Sequence, residues 1–267
     1  MHNVFKLLKS ISFGVIFLAG TSQASDTAKE QRWSEQIVDM LLVGEAETLK
    51  AGDSEFLAIY TEATGGPGDR AAIVLHGIGV HPNWPEVIQP LRSELPEHGW
   101  ATLSLQLPIL ANNAPLKDYV AILEEAPPRI QAGIEFLKGK GMDRIVIIAH
   151  SLGSAMACSF LVEPGSRDIQ AFVGIGMPLS DLDPRLDTAA CLEKLPLPVL
   201  DLYGSRDDEV RSHAARRKQG ARKAGNEQYR QMEIEGADHF FNGMQDELVR
   251  IVRGWLYATF DKDAKSR

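Results

Sequence analysis

The sequence predicts an α/β fold in which a mainly parallel sheet carries helices on both faces. Two observations lead to this prediction. Short apolar runs of strand character alternate with helix-compatible segments about every 25 to 30 residues, the rhythm of a parallel sheet with crossover helices. The first two predicted strands are separated only by the short turn A-G-D-S, which adds an antiparallel hairpin at one edge.

The first elements follow from local residue patterns. Apolar side chains at roughly helical spacing over 27–42 indicate an amphipathic helix, and the A-G-D-S turn divides 45–63 into two strands. Asn83 and Gly99 are residue types that begin and end helices, so we expect a helix over 84–98.

The second half of the chain continues the alternation. A helical stretch over 117–138 should be interrupted at Pro127-Pro128, because proline breaks helix interiors. The connections over 176–197 and 108–117 are the candidates for a small cap. The remaining strands are predicted over 71–75, 100–107, 144–149, 169–175, 199–203 and 228–234, and the remaining helices over 151–162, 208–224 and 241–260.

Residues 1–24 have the pattern of a secretory signal peptide. Two lysines precede the apolar run 11–20, and Ser22-Gln23-Ala24 supplies small residues before a cleavage position after Ala24. The apolar run is too short to span a bilayer comfortably, since spanning takes about 20 residues; an uncleaved anchor is the alternative. We therefore expect 25–267 to form one domain in the periplasm or outside a bacterial cell, with no stable membrane span after cleavage.

Charge and cysteine content limit the partners. The formal net charge is −8, and no basic stripe is present, which argues against nucleic acid but not against a small-molecule substrate. Cys158 and Cys191 could form a disulfide in an oxidising compartment, or remain two buried thiols. Their number and spacing do not suggest a zinc site, and the sequence leaves the oligomeric state open.

The most informative segment is 145–155, which reads I-V-I-I-A-H-S-L-G-S-A. An apolar strand runs into a small-x-Ser-x-Gly turn, and a helix follows. A serine on such a tight turn is presented at the end of the sheet, so Ser151 is the candidate nucleophile. Ala149 and Gly153 are small because the strand and helix backbones nearly touch there.

A serine nucleophile needs a base and an orienting carboxylate, and both should follow later strands. Asp207 follows the strand over 199–203, and His239 follows the strand over 228–234. The order Ser151, Asp207, His239 is the one expected for such a turn. Asp208 is the main alternative for the acid. Asp201 is a weaker one because it lies within a strand, and Asp238 should point away from the histidine.

An oxyanion intermediate needs two N–H donors. We expect one from Leu152 at the start of the helix and the other from Ile78 in H-G-I-G, with Gly79 as the alternative.

The neighbouring histidines and a tryptophan have weaker assignments. Gly79, His81 and Trp84 could line the substrate pocket, and the alternative for His81 and Trp84 is to serve only as a turn and a helix anchor. We expect a structural role for His76, and an inward-pointing side chain for His150.

With these residues identified, the chain resembles the α/β-hydrolase superfamily over about residues 46–258. The motifs that carry the resemblance are H-G-I-G, A-H-S-L-G, G-S-R-D and G-A-D-H-F-F. The segments H-G-I-G-V-H-P-N-W-P and H-G-W-A-T-L-S-L-Q-L-P look more narrowly like an exported bacterial family of unknown function. The resemblance implies a hydrolase scaffold and an envelope location but no substrate. Ala149 in place of glycine and the lack of an H-G-G-G loop are departures from common members.

Three functions are compatible with these residues. The leading hypothesis is a serine hydrolase of carboxylic esters or thioesters that needs no cofactor or metal and loses activity below about pH 6, where the histidine base is protonated. An acyltransferase could use the same three residues. A binding or scaffold protein of the envelope could keep the fold without turnover.

Overall fold

The computed structural model describes residues 24–261, and the predicted signal peptide therefore lies outside the described residues except for Ala24. The strands are β1 (Glu45–Ala51), β2 (Ser54–Thr61), β3 (Arg70–Leu75), β4 (Ala101–Leu105), β5 (Arg144–His150), β6 (Ile169–Ile175), β7 (Val199–Gly204) and β8 (Tyr229–Ile234). They form one sheet in the order β1-β2-β4-β3-β5-β6-β7-β8.

The helices alternate with these strands. They are α1 (Thr27–Met40), α2 (Ile88–Glu94), α3 (Leu116–Tyr119), α4 (Ala126–Gly139), α5 (Leu152–Leu161), α6 (Thr188–Leu192), α7 (Asp208–Ser212), α8 (Ala214–Lys223) and α9 (Gln245–Phe260). Short 3₁₀ segments cover Leu95–His98, Val120–Glu125, Pro164–Asp168 and Pro184–Leu186. Within residues 24–261, none of the helices has the length and apolar character needed to cross a bilayer.

The sheet is parallel except at one edge. β1 pairs with β2, and β2 with β4, in antiparallel register, whereas the pairs from β3 to β8 are all parallel. This confirms the predicted parallel sheet with an antiparallel N-terminal hairpin. The parallel strands end at the same edge, so the residues that follow β5, β7 and β8 can meet there.

Side chains of β3 show why the central strands are continuous apolar runs. Ala71, Ile73 and Leu75 belong to one hydrophobic core, packed with residues of α4 and α5. Ala72 and Val74 point to the other face and join residues of α2 and α9. Both faces of the strand are buried, so every position favours an apolar residue.

Two predicted helix starts were four residues too early. The helix predicted over 241–260 begins at Gln245, and the helix predicted over 84–98 also begins late. The helix does not begin after Asn83; α2 starts at Ile88, and no side chain caps it. Asn83 Oδ1 instead accepts hydrogen bonds from Nε and Nη2 of the buried Arg92, at 2.9 and 2.6 Å. Trp84 precedes Pro85, and a residue before proline is disfavoured in helical conformation. Gly99 ends the segment with a left-handed φ of 81°, as predicted.

The paired prolines also act differently from the prediction. Pro127 and Pro128 lie in the first turn of α4 and begin that helix rather than interrupting one. Proline is tolerated there because the N–H groups of the first turn have no intrahelical acceptor. The predicted helix over 208–224 is divided at His213 into α7 and α8.

A disulfide bond joins Cys158 on α5 to Cys191 on α6. Of the two alternatives that the sequence left open, the structure contains the bridge. It ties the 176–197 connection, which holds α6, to the helix that follows the candidate nucleophile.

Candidate active site

Ser151 occupies a sharp turn between β5 and α5. Its φ of 52° and ψ of −128° are unusual for a residue with a Cβ, and its N–H donates to the carbonyl of Ile175 at 2.8 Å. A Cβ on Gly153 would come within 2.3 Å of the carbonyl oxygen of His76, so only glycine fits at that position. Although Ser151 precedes the helix, its hydroxyl makes no capping bond and is available for another partner.

That partner is His239. The Ser151 hydroxyl lies 3.0 Å from His239 Nε2, and His239 Nδ1 lies 2.6 Å from Asp207 Oδ2. A carboxylate can only accept, so Nδ1 carries the proton of a neutral ring and Nε2 accepts from the serine. The structure thus brings together the three residues that the sequence selected from the ends of β5, β7 and β8.

Asp207 has two functions, one for each carboxylate oxygen. Oδ1 accepts from the N–H of Val210 at 3.3 Å and caps α7, while Oδ2 accepts from His239. Burial raises the pKa of Asp207, but the hydrogen bond and charge of His239 outweigh it, so the pKa lies below its usual value. The carboxylate therefore stays ionised beside the imidazole at neutral pH.

The other aspartates have other partners. Asp208 is exposed and pairs with Arg211 at 3.2 Å. Asp201 is fully buried and binds Arg217 Nε at 2.8 Å. Asp238 accepts from the N–H groups that follow it, at Phe240 and Asn242. Among the four aspartates considered, Asp207 is the one that contacts His239.

Two further residues position His239: His150, for which the sequence predicted only an inward-pointing side chain, and Gly176, which the sequence analysis did not single out. His150 Nε2 lies 2.9 Å from the carbonyl oxygen of His239, and the two rings are 4.9 Å apart. Gly176, with a φ of 59°, lies so close that a Cβ there would be 3.1 Å from His239 Cε1. The position of Gly176 directly after β6 was the available sequence signal.

The buried histidines His76 and His150 are neutral. Burial lowers the pKa of each to about 3. His76 Nε2 accepts from the N–H of Leu107 at 2.9 Å, which joins the H-G-I-G loop to the segment after β4. This contact agrees with the structural role predicted for His76. The burial of His150 and its hydrogen bond to the His239 carbonyl agree with the inward orientation predicted for that side chain.

The H-G-I-G loop lies against the nucleophile. A Cβ on Gly77 would be 3.0 Å from Ser151 Cβ, which places the backbone of Ile78 next to this contact. Leu152 is the first residue of α5, where an N–H has no intrahelical acceptor. A Cβ on Gly79 would lie 3.8 Å from the Tyr119 hydroxyl, so this glycine borders the buried tyrosine. The assignment of the second donor to Ile78, with Gly79 as the alternative, stays a prediction.

His81 contacts both Trp84 and Trp33 of α1. The His81 ring lies 5.4 Å from Trp84 and 5.2 Å from Trp33, and its Nδ1 accepts from the N–H of Asn83 at 3.2 Å. These contacts are those of a turn that anchors α1. A role of the pair in a substrate pocket stays a prediction.

The family comparison gives one match. The sequence matches the family model described as "Protein of unknown function (DUF3530)" over residues 19–128 and 118–258. The chain belongs to this family. A search of curated proteins returned no match.

Solved structures share the fold at low sequence identity. A dienelactone hydrolase from Anabaena variabilis has a TM-score of 0.62 at 17% identity, covering 80% of this chain and 97% of that one. Est1E from Butyrivibrio proteoclasticus with bound ferulic acid has a TM-score of 0.64 at 16% identity, covering 81% and 100%. An alpha-beta serine hydrolase homologue from Coxiella burnetii has a TM-score of 0.61 at 16% identity, covering 79% and 99%. The chain therefore has the α/β-hydrolase fold.

Proposed function

We propose that this protein is a serine hydrolase of carboxylic ester or thioester bonds, with Ser151, His239 and Asp207 as its catalytic triad. The observation that carries the proposal is the continuous hydrogen-bond chain from the Ser151 hydroxyl to His239 Nε2 and from His239 Nδ1 to Asp207 Oδ2, at 3.0 and 2.6 Å. Nucleophile, base and orienting acid lie within the reach that this chemistry requires.

The first half of the reaction forms an acyl-enzyme. Ser151 Oγ bonds to the carbonyl carbon of the substrate while its proton passes to His239 Nε2, and Asp207 stabilises the resulting imidazolium. The N–H groups of Leu152 and Ile78 bind the oxyanion. Loss of one such donor typically costs about 10²–10³ in rate. The intermediate then collapses, and the alcohol or thiol leaves with the proton from His239.

The second half repeats the sequence with water. His239 removes a proton from water, the hydroxide attacks the acyl carbon, and Ser151 regains its proton as the acid is released. The unusual backbone of Ser151 supports this role, because strained backbone conformations of non-glycine residues concentrate at sites where geometry matters for function.

Labelling with a fluorophosphonate probe tests the proposal. Such probes react with activated serines, so the wild type should be labelled and Ser151→Ala should not. Ser159→Ala is the matched control, because this serine lies on the same helix and its hydroxyl donates to the Ala155 carbonyl instead of a histidine. Folded wild-type protein that resists labelling and hydrolyses no ester or thioester would contradict the proposal.

We also propose that the chain is exported and loses residues 1–24. The Cys158–Cys191 disulfide supports an oxidising compartment. The Ser25 N–H donates to Glu125 Oε1 at 3.0 Å, so cleavage after Ala24 would create an ammonium group beside a carboxylate. Mass spectrometry of periplasmic and secreted fractions should find a mature form beginning at Ser25; an intact form retained only in the cytoplasm would refute export.

A further inference from the structure

A cavity of about 380 Å³ lies beside the H-G-I-G loop. Its lining includes Lys29, Ile78, Gly79 and Tyr119, together with the loop segment 111–114. Gly77, the residue before this lining begins, packs directly against Ser151. Ile78, which lines the cavity, directly follows Gly77, which contacts Ser151, and consecutive Cα atoms are about 3.8 Å apart. Its volume lies within the range of small-molecule sites, about 300–1,000 Å³.

Lys29 of α1 contributes a buried positive charge to this cavity. The residue is 5% exposed, its Nζ donates to the carbonyl of Leu110 at 2.9 Å, and Nζ stands 4.4 Å from the centre of the Trp33 ring. Between residues 24 and 261, no carboxylate lies within ion-pair distance of this ammonium. Burial lowers the pKa of Lys29, and the more distant charge of Asp26 offsets this only in part. A buried charge without a counter-ion is unfavourable, which is why such groups mark ligand sites.

Tyr119 adds a hydrogen-bond donor to the same cavity. Its side chain is 1% exposed, and its hydroxyl oxygen accepts from the N–H of Leu110 at 3.2 Å. A phenol has one proton to donate, and the described part of the chain supplies no acceptor for it. The Tyr119 proton is therefore directed to whatever occupies the cavity.

We propose that this cavity binds an anionic group of the substrate, a carboxylate or a phosphate, with Lys29 as the specificity-determining residue and Tyr119 as a second donor. The inference deepens the proposed hydrolase function and rests on it. The chain as a whole carries a formal charge of −8, which disfavours anionic substrates, so the buried cation of Lys29 beside the H-G-I-G loop would be the feature that makes an anionic ester a better substrate than a neutral one.

Two esters that differ mainly in one charge test this specificity. We expect wild type to have a higher kcat/KM for mono-p-nitrophenyl glutarate than for p-nitrophenyl valerate. Lys29→Met keeps the aliphatic stem and removes the charge, and should lower the ratio of the two kcat/KM values by about tenfold to a hundredfold, the loss typical of a hydrogen bond to a charged group. Lys117→Met, which removes an exposed lysine from the nearby α3, should leave the ratio unchanged. An unchanged ratio in Lys29→Met overturns the inference.

A binding measurement separates this inference from the proposed reaction. By calorimetry, glutarate and inorganic phosphate should bind to Ser151→Ala protein and not to the Ser151→Ala, Lys29→Met double variant, and the tighter of the two ions identifies the preferred group. Lys29-dependent binding without ester turnover or fluorophosphonate labelling would refute the hydrolase and retain the anion site. Ester turnover without anion binding would retain the hydrolase and refute the site. If Lys29→Met does not fold, Tyr119→Phe carries the same comparison, with a smaller expected loss of the ratio.

Discussion

His150 Nε2 donates a hydrogen bond to the carbonyl oxygen of His239 at 2.9 Å. Burial lowers the pKa of His150 to about 3, so the ring is neutral, and the carbonyl acceptor fixes its proton on Nε2. The residue before the nucleophile thereby holds the backbone of the proposed base. The contact connects the turn after β5 to the loop after β8, two segments that are far apart in the chain.

His150→Leu should therefore lower kcat more than it raises KM. Loss of one buried hydrogen bond costs about 1 kcal/mol, which corresponds to roughly a fivefold decrease in kcat if the bond positions the base. His150→Gln can donate from its amide and should recover part of the loss. Steady-state kinetics on one ester measure both effects, with the exposed His98→Gln as control. If both His150 variants lose thermal stability equally and keep the wild-type kcat, the positioning role is contradicted.

Asp207→Asn should decrease kcat by about 10³–10⁴-fold, because an amide no longer holds the imidazole in the required tautomer. Asparagine still caps α7, so the free energy of unfolding should change by less than about 1 kcal/mol. Asp208→Asn is the matched control and should leave kcat unchanged, because Asp208 is exposed and pairs with Arg211. The reverse ranking would assign the acid to Asp208.

The protein should become less stable as pH falls from about 6.5 towards 3. Burial lowers the pKa of His76 and His150 to about 3 and that of His81 to about 4, whereas an unfolded histidine titrates near 6.5. Between these values the unfolded chain binds more protons than the folded one. Each histidine then removes about 1.4 kcal/mol of stability per pH unit of acidification.

Urea unfolding at pH 7, 6 and 5 measures this loss. A free energy of unfolding that is constant between pH 6 and 5 would show that these rings do not titrate as described.

The disulfide should contribute substantially to stability. It links residues separated by 33 positions, and a loop of this length contributes about 3–4 kcal/mol in the chain-entropy description. Replacing both Cys158 and Cys191 by serine should lower Tm by about 10 °C in a chain of this size. Calorimetry of the wild type with dithiothreitol should show a similar shift, and reductant should have no effect on the double variant. Identical Tm values with and without the bridge would contradict the expectation.

Much of the fold was predictable because it is encoded locally. The apolar runs of β3, β5 and β6 required burial on both faces, and the boundaries of β6 matched the prediction at both ends. Prediction from local residue patterns failed where a side chain forms a tertiary hydrogen bond instead of a local one. Asparagine is a common helix cap, but the side-chain oxygen of Asn83 accepts hydrogen bonds from the buried guanidinium of Arg92. The residue pattern around Asn83 does not show that Arg92 is buried and needs an acceptor.

By itself, the sequence determined that Ser151, Asp207 and His239 each follow a strand, in that order along the chain, and that a tight turn presents the serine. Strand ends and small residues at a turn are both recognisable in the local sequence. Only the tertiary structure decided that His239 contacts Asp207 and not Asp208, that Cys158 bonds to Cys191, and that Lys29 lies beside the H-G-I-G loop. These relationships join segments tens of residues apart. Distances across such separations depend on how sheet and helices pack together, which residue spacing does not specify.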